Sequence, residues 1–158
     1  MAFEIERKFL VDTNKWVPAD TGTKLIQAYL GLDPLPVVRI RISGENAFLT
    51  IKGPSRTISR PEFEYEIPLE DAYEMLKLAI SEPVEKTRHK VQYEGFIWEV
   101  DIFSGKNKGL VMAEIELAAE NQHFPRPNWL LQEVSGDERF YNSYLSEHPF
   151  REWSDGMA

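Results

Sequence analysis

Charged and apolar residues alternate with a period of two along most of this chain, a pattern typical of β-strands with one packed face and one polar face. In residues 3–11, for example, Glu4, Glu6 and Lys8 share one face, and most of the apolar residues share the other. The alternation recurs in residues 25–32, 37–43, 47–52, 62–67, 84–93, 96–103 and 110–118. The chain is therefore predicted to fold mainly as antiparallel β-sheet.

Helical patterns are confined to short segments. Apolar residues recur at the spacing of an amphipathic helix over residues 68–80, and a Ser-Glu-Pro sequence then ends the helix. Beyond a Pro-rich loop, a short helix is predicted near residues 129–133, and another opens at Ser135 or Asp137, either of which is a suitable N-cap. The tail from about residue 147 is predicted to be loose. The fold class is therefore α+β, mainly β.

The charges on the polar faces are sorted by sign from strand to strand. The acidic groups are Glu4 and Glu6, then Glu62, Glu64 and Glu66, then Glu99 and Asp101, and finally Glu114 and Glu116. The basic groups are Arg39 and Arg41, then Lys86 and Arg88, with Lys8 and Lys52 in addition. In any single strand, exposure to solvent is enough to explain the charged face. Over the whole set it is a poorer explanation, because a solvated surface would more readily mix Ser, Thr, Gln and Lys at these positions.

If about eight such strands close into a barrel, the interior carries too many charges to be a dry core, because unpaired buried charge is very costly. A water-filled tunnel is the alternative. Its guanidinium and ammonium groups suit phosphate oxygens, and its carboxylates suit Mg²⁺ or Mn²⁺. A metal-bound polyphosphate satisfies both halves of such a lining.

Composition excludes several other classes of function. The net charge of −8 over 158 residues argues against binding to nucleic acids or anionic membranes. The absence of cysteine excludes disulfides, thiolate zinc sites and cysteine nucleophiles, and the three histidines are scattered. The charged residues at the start of the sequence are not expected to form a signal peptide, and no apolar run approaches the roughly 20 residues of a membrane span. We expect a single cytoplasmic domain over residues 1–158.

Several motifs resemble, in order, those of the CYTH, or triphosphate tunnel metalloenzyme, superfamily, and especially its short bacterial tripolyphosphatase-like members. They begin with Glu4-x-Glu6-x-Lys8 and continue at residues 27–30, 39–41, 50–52, 60–67, 84–88, 99–101, 114–116 and 137–142. One departure is Ala28, where glycine is expected in the tripolyphosphatase-like members. The resemblance implies an eight-stranded antiparallel tunnel with helices packed outside, and a single CYTH domain.

The resemblance also implies roles for individual residues. One metal ion would be held by Glu4, Glu6 and Glu116, with Glu114 nearby, and a second by Asp101, Glu114 and Glu116. Phosphate oxygens would be bound by Lys8, Arg39, Arg41, Lys52, Lys86, Arg88 and Arg139. The groups assigned to catalysis are Lys8, Tyr29, Lys86, Glu62 and Glu64. Of these, Glu62 and Glu64 would orient basic residues or assist the metals, and Tyr29 with Lys8 would handle protons. Mg²⁺ or Mn²⁺ is the implied cofactor.

Three kinds of function remain open at this point. The first is a metal-dependent triphosphatase that cuts inorganic tripolyphosphate to pyrophosphate and phosphate. The second is a class IV type adenylyl cyclase, although residues 27–30 lack the Asp-Thr-Tyr motif that is frequent there. Hydrolysis of thiamine or nucleoside triphosphates lies between these two. The third is a non-catalytic polyphosphate sensor, which would be expected to lose its metal carboxylates. An exposed strand edge or apolar patch could support a homodimer, which the sequence does not locate.

Overall fold

In a computed structural model, nine β-strands and two α-helices form from the described residues, which are 3–32, 36–54 and 58–153. The strands are β1 (Phe3–Val11), β2 (Thr23–Gly31), β3 (Val37–Ser43), β4 (Asn46–Lys52), β5 (Ser59–Ile67), β6 (Val84–Tyr93), β7 (Phe96–Phe103), β8 (Val111–Glu116) and β9 (Leu130–Glu133). The helices are α1 (Leu69–Leu76) and α2 (Asn142–Glu147). Neither helix has the length and apolar character needed to cross a bilayer.

Eight of the strands close into an antiparallel barrel in the order β5-β4-β3-β2-β6-β7-β8-β1. Closure is made by three residue pairs between the start of β1 and the start of β5, including Glu4 with Arg60. Because the barrel is sheared, the second half of β1 extends beyond β5 along this edge. There β9 pairs with it, joining Phe9 to Glu133 and Val11 to Leu130. The predicted eight-stranded antiparallel barrel with outer helices is confirmed, with one extra strand.

The apolar face of the alternating strands points outward, so most of the hydrophobic core lies outside the barrel. One cluster joins Phe9, Trp98 and Ile115 of the wall to Trp16 and Trp129 of the outer segments. Around Trp98 the rings meet edge to face, with centroids 5.7 Å from Phe9 and 5.8 Å from Trp129. A second outer cluster holds helix α1 against β3 and β4. The inner face is thereby left to the charged residues.

One end of the inner face is apolar. Val84, Phe103 and Met112 each lie two residues along their strands from a charged inward residue, and all three are buried. Phe140 and Leu145 of the C-terminal segment pack against them. This cluster partly closes the barrel at the end where β6 and β8 begin. The C-terminal chain thus lies across one end of the charged interior.

Two helix predictions were wrong in extent or type. The helix predicted over residues 68–80 ends at Leu76, after which i+3 hydrogen bonds tighten the turn and the N–H of Ile80 donates to the carbonyl of Tyr29 at 2.9 Å. The helix predicted near residues 129–133 is strand β9. The unpaired edge of β1 outweighs the weak local helical preference there.

The last helix begins later than predicted. The Asp137 side chain caps a 3-10 turn, Glu138–Phe140, by accepting from the Arg139 N–H, and α2 itself begins only at Asn142. Within the tail that was predicted to be loose from about residue 147, a 3-10 turn spans Phe150–Glu152, and Trp153 packs edge to face on Phe140. The rest of that tail, residues 154–158, lies outside the described residues. The tight turn between β6 and β7 is made by Glu94 and Gly95, whose φ angles of 45° and 84° are typical of a type I′ hairpin.

Candidate active site

A polar cavity, here called the tunnel, lies inside the barrel. Most of the residues that the sequence predicted for the site line it together, namely Glu4, Glu6, Lys8, Tyr29, Arg39, Arg41, Lys52, Glu62, Glu64, Lys86, Arg88, Glu114 and Glu116. They come from seven strands, and all lie on the inner face because side chains two residues apart point the same way. The alternation of the sequence is thus the direct cause of the tunnel lining.

The cations of β3 and β6, which we call the basic wall, are Arg39, Arg41, Lys86 and Arg88. These two strands flank β2, whose inner face is uncharged. The carboxylates of β1 and β8, which we call the acidic wall, are Glu4, Glu6, Glu114 and Glu116. Since β1 lies four strands from β2 around the ring, the two walls face each other across the tunnel.

Asp101 of β7 organises half of the basic wall. It is 1% exposed and accepts from Arg88 Nε at 2.8 Å and from Arg88 Nη2 at 2.9 Å, with Lys86 Nζ at 2.8 Å. Burial opposes the charge on Asp101, but Lys86 and Arg88 lower its pKa below the ordinary value. Both oxygens of Asp101 are therefore engaged by cations.

Lys86 is buried and has an unusual protonation equilibrium. Burial, aided by neighbouring Arg88, lowers the pKa of Lys86 to about 8, although Asp101 opposes the shift. Its ammonium also donates to Asn142 Oδ1 at 2.9 Å. Asn142 begins helix α2, so the C-terminal segment helps to orient a cation of the tunnel.

Arg41 differs from the other cations of the basic wall. Its Nε donates to Gln27 Oε1 at 3.2 Å, and among the described residues it forms no ion pair with a carboxylate. Burial, together with Arg39 and Arg88, lowers the pKa of Arg41 to about 10. Arg39, by contrast, donates to Thr50 at 3.1 Å and contacts Glu64 at 3.4 Å. Within the described residues, the basic wall thus carries one positive charge that has no carboxylate partner.

The acidic wall carries an excess of negative charge. Glu6 pairs with Glu116 across β1 and β8, and neither carboxylate forms an ion pair within the part of the chain that the structure describes. Loss of hydration inside the tunnel, with Glu114 and Glu4 nearby, raises the pKa of Glu6 well above its ordinary value. Partial burial, with Glu4 and Glu99, likewise raises the pKa of Glu116. Glu6 and Glu116 are therefore the carboxylates of the acidic wall for which the described residues supply no ion-pair partner.

The other two carboxylates of the acidic wall have lysine partners. Lys52 Nζ lies 2.9 Å from Glu4 Oε1, and Lys8 Nζ lies 3.9 Å from Glu114 Oε1. Burial opposes ionisation of both carboxyls, but Lys52 lowers the pKa of Glu4 and Lys8 lowers that of Glu114. The donor set fits a hard divalent cation, since it consists of carboxylate oxygens with two charges uncompensated. In the described ranges, however, no three carboxylates already converge on one ion-sized point.

Two predicted residues take positions apart from the tunnel lining. Asp101 lies behind Lys86 and Arg88, as described above. Arg139 is half exposed, pairs with Asp137 at 2.8 Å and lies over the rings of Phe140 and Trp153. Arg139 is not among the described residues that line the tunnel with the basic wall.

Several site residues were not predicted from the sequence. Gln27 is fully buried and links Arg41 to Tyr29, whose hydroxyl accepts from Gln27 Nε2 at 3.0 Å. Thr50 donates to Glu64 at 2.9 Å and accepts from Arg39. Gln27 lies two residues from Tyr29 and Thr50 two residues from Lys52, so the period of two would have placed both side chains inside the barrel. Nothing in the local pattern marks the contact of Asn142 with Lys86, which depends on how the C-terminal segment crosses the barrel end.

Comparison with known proteins gives consistent matches over nearly the whole chain. The CYTH domain family model matches residues 2–141. A protein from Acetivibrio thermocellus named inorganic triphosphatase is 45% identical over 156 residues, which are 98% of this chain and 100% of that protein. Another of the same name, from Nitrosomonas europaea, is 35% identical over 90% of this chain and 96% of its own length. The crystal structure of the inorganic triphosphatase NE1496 has a TM-score of 0.67 at 31% identity, covering 92% of this chain and 95% of that one.

Proposed function

We propose that this chain, which belongs to the CYTH domain family, is a metal-dependent triphosphatase that cuts inorganic tripolyphosphate to pyrophosphate and phosphate. The resemblance found in the sequence motifs is confirmed by the family match. The relatives named inorganic triphosphatase match this chain along at least nine-tenths of their own lengths. They support the same reaction here.

The observation that carries the proposal is the incomplete neutralisation of charge on both sides of the tunnel. Arg41 has no carboxylate partner among the described residues, and opposite it Glu6 and Glu116 have no cation. A ligand that presents anionic oxygens to the basic wall and a divalent cation to the acidic wall completes both sides. A metal-bound triphosphate has this distribution of charge.

Enzymes of this family depend on a metal ion, and we assign Mg²⁺ or Mn²⁺ to the acidic wall. Glu4, Glu6 and Glu116 would hold one ion, and Glu114 and Glu116, with Asp101, a second. A divalent ion bound there neutralises phosphate charge and acidifies water. For Asp101 the contacts support positioning of Lys86 and Arg88 more directly than metal binding.

Phosphoryl transfer requires alignment and charge neutralisation more than covalent chemistry by the protein. Arg39, Arg41, Lys86 and Arg88 would bind the phosphate oxygens, with Lys8 and Lys52 reaching them from the other side. Glu64 orients Arg39 through a 3.4 Å contact, and Glu62 lies 3.4 Å from Lys52. We assign these two carboxylates to orientation of cations. Tyr29 and Lys8 would handle protons at the attacked phosphate.

The test is an assay of the purified chain with Mg²⁺ or Mn²⁺ that offers tripolyphosphate and ATP separately and measures phosphate, pyrophosphate and cyclic AMP. Phosphate release from tripolyphosphate, absent in Glu116→Gln and after chelation by EDTA, is expected. Cyclic AMP from ATP, without hydrolysis of tripolyphosphate, would identify a cyclase and contradict the proposal. Binding of triphosphate without any product would identify a sensor and contradict it equally.

A further inference from the structure

Lys52 occupies an unusual place between the two walls. It is the last residue of β4, and the shear of the barrel brings its side chain to β1, where its Nζ lies 2.9 Å from Glu4 Oε1 and 3.0 Å from Glu4 Oε2. Glu62 of β5 lies 3.4 Å from the same ammonium. The side chains of Lys52 and Glu4 are only 13% and 11% exposed. Lys52 is thus a half-buried counter-ion held by two carboxylates.

Both oxygens of Glu4 contact this ammonium, and its positive charge repels a divalent cation, so Glu4 becomes a good ligand for such a cation once Lys52 moves aside. The neighbouring carboxylates Glu6 and Glu116 have no such partner in the described part of the chain. This difference is consistent with the finding that no three described carboxylates yet converge on one point. Glu62 provides a second anchor, toward which the Lys52 ammonium can turn without leaving the tunnel.

We propose that Lys52 is a resident counter-ion of Glu4 that a divalent cation displaces, and that the displaced ammonium then binds the triphosphate. The inference rests on the proposed function, because it concerns the same metal and the same substrate. Without ligands Lys52 forms an ion pair with Glu4. With metal and triphosphate bound, it contacts the phosphate oxygens instead. Metal and triphosphate therefore bind cooperatively. The metal takes the place of Lys52 on Glu4 and frees the ammonium for the triphosphate, and the bound triphosphate keeps the ammonium away from Glu4.

Cooperativity of this origin has a specific thermodynamic signature. With metal absent, Lys52 stays on Glu4 and contributes little to triphosphate binding. With metal present, Lys52 is free and contributes fully. By reciprocity, removal of the ammonium should strengthen binding of metal alone while weakening binding of triphosphate in the presence of metal. A lysine that serves only as a phosphate contact would weaken triphosphate binding equally in both conditions.

The experiment compares wild type, Lys52→Met and two other lysine variants by titration with Mn²⁺ alone, followed by electron paramagnetic resonance of the free ion. We expect Lys52→Met to bind Mn²⁺ about tenfold more tightly than wild type. Lys8→Met measures the general effect of losing a tunnel cation, because Lys8 lies 3.9 Å from its carboxylate, and should give a smaller gain. Lys77→Met removes a surface lysine that pairs with Glu74 and should give none.

A second titration uses imidotriphosphate, a triphosphate analogue with nitrogen bridges, in EDTA and at saturating Mn²⁺, followed by calorimetry. We expect Lys52→Met to lose about tenfold in affinity with Mn²⁺ and less than about twofold in EDTA. Equal losses in both conditions, or an Mn²⁺ affinity no higher than that of Lys8→Met, would overturn the inference. Lys52→Gln serves in place of Lys52→Met if the latter fails to fold.

These results separate the inference from the proposed function. If wild type binds neither Mn²⁺ nor the analogue, the proposed function itself fails, and the inference fails with it. If wild type binds both and hydrolyses tripolyphosphate while Lys52→Met binds Mn²⁺ no better than wild type, only the displacement of Lys52 is wrong. A direct check on wild type is the ¹⁵N resonance of the Lys52 ammonium, which should shift when Mg²⁺ alone is added and stay fixed if Lys52 is not displaced.

Discussion

The basic and acidic walls face each other across one tunnel, but they differ in how far the protein itself balances their charges. Among the described residues, three of the four cations in the basic wall have carboxylate partners inside the barrel, with Asp101 serving two of them. In the acidic wall, two of the four carboxylates have lysine partners, one of them distant. The basic wall is therefore largely preorganised by the fold, whereas the acidic wall needs a ligand to become balanced.

This difference has an energetic consequence. A buried charge that is paired by the fold costs less stability than an uncompensated carboxylate beside others of its kind. The uncompensated carboxylates of the acidic wall thus lower the free energy of unfolding, but they allow that wall to bind a cation. The paired cations of the basic wall lower the free energy of unfolding much less. Removal of an uncompensated carboxylate from the acidic wall should lower activity and raise stability, whereas removal of a paired cation from the basic wall should lower stability.

The largest expected effect is that of Glu6→Gln in the acidic wall. Loss of one proposed metal ligand should reduce kcat/KM for tripolyphosphate by about a thousandfold, because metal assistance contributes several kcal/mol to such reactions. In EDTA at pH 8 the same variant should unfold at a higher temperature than wild type, since a repelled carboxylate is replaced by a neutral amide. Activity within tenfold of wild type would remove Glu6 from the metal site.

The stabilising effect of Glu6→Gln should depend on pH with a definite sign. In the folded protein the pKa of Glu6 is raised by loss of hydration and by Glu114 and Glu4. Ionisation of Glu6 therefore lowers the free energy of unfolding as the pH rises above the ordinary pKa of 4.5. Below that value the carboxyl is protonated in the folded and unfolded protein alike. The difference in Tm between variant and wild type should therefore shrink toward pH 4, and a constant difference would contradict this account.

Arg88→Gln should break the preorganisation of the basic wall. It leaves buried Asp101 with Lys86 as its remaining cation and should lower the free energy of unfolding by about 3 kcal/mol. Urea denaturation in EDTA measures this loss without interference from bound metal. A loss below about 1 kcal/mol would show that Lys86 alone balances Asp101.

Arg41→Gln should behave differently from Arg88→Gln, although both remove a cation from the same wall. Among the described residues no carboxylate loses an ion-pair partner, and repulsion from Arg39 and Arg88 is relieved, so stability in EDTA should be unchanged or higher. Loss of a charged contact with phosphate should lower kcat/KM about thirtyfold, or about 2 kcal/mol. Unchanged kinetics would remove Arg41 from the substrate site.

Asn142→Ala should have a smaller effect that tests how the C-terminal segment contributes to the basic wall. Lys86 loses one acceptor but retains Asp101, so kcat should fall about fivefold, near 1 kcal/mol. Because the pKa of Lys86 is held near 8 by burial and Arg88, the alkaline limb of the pH profile should move in the variant. A pH profile identical to that of wild type would show that Asn142 does not act through Lys86.

The smallest effect is expected outside both walls. Lys77 pairs with Glu74 at 2.9 Å on the surface of α1, with both side chains more than two-thirds exposed. Lys77→Met should change the free energy of unfolding by less than about 0.5 kcal/mol and leave kcat/KM at the wild-type value. A change comparable to that of Arg88→Gln would mean that long-range charge, and not the local partners in each wall, determines stability.

The sequence predicted the strands and their inner faces well, because a period of two determines directly which side chains share a face. Strand β3 is a clear case, since Arg39 and Arg41 point inward wherever the strand lies in the sheet. Features that depend on distant contacts were beyond such reasoning. Strand β9 exists because the shear of the barrel leaves part of the β1 edge free of β5. No local pattern in residues 129–133 indicates that this distant edge is available for pairing.

The same limit applies to the site. The motif residues of β1, β3, β6 and β8 could be assigned to the lining from sequence, and all of them line it. Which charges pair inside the tunnel could not be assigned, since Lys52 meets Glu4 only through the register of two strands that are distant in sequence. Arg139, although part of a recognised motif, lies over aromatic rings at the C-terminal segment. The roles of individual site residues remain predictions for the experiments above.

The outward position of the hydrophobic core has a consequence for evolution and engineering. Residues such as Phe9 and Trp98 hold the barrel together from outside, while their neighbours Lys8 and Glu99 face the interior. Most changes to the lining therefore need not disturb packing, and most packing changes leave the lining alone. A change of substrate should therefore require substitutions mainly at the inward positions of the strands, while the outward residues that pack the barrel are kept.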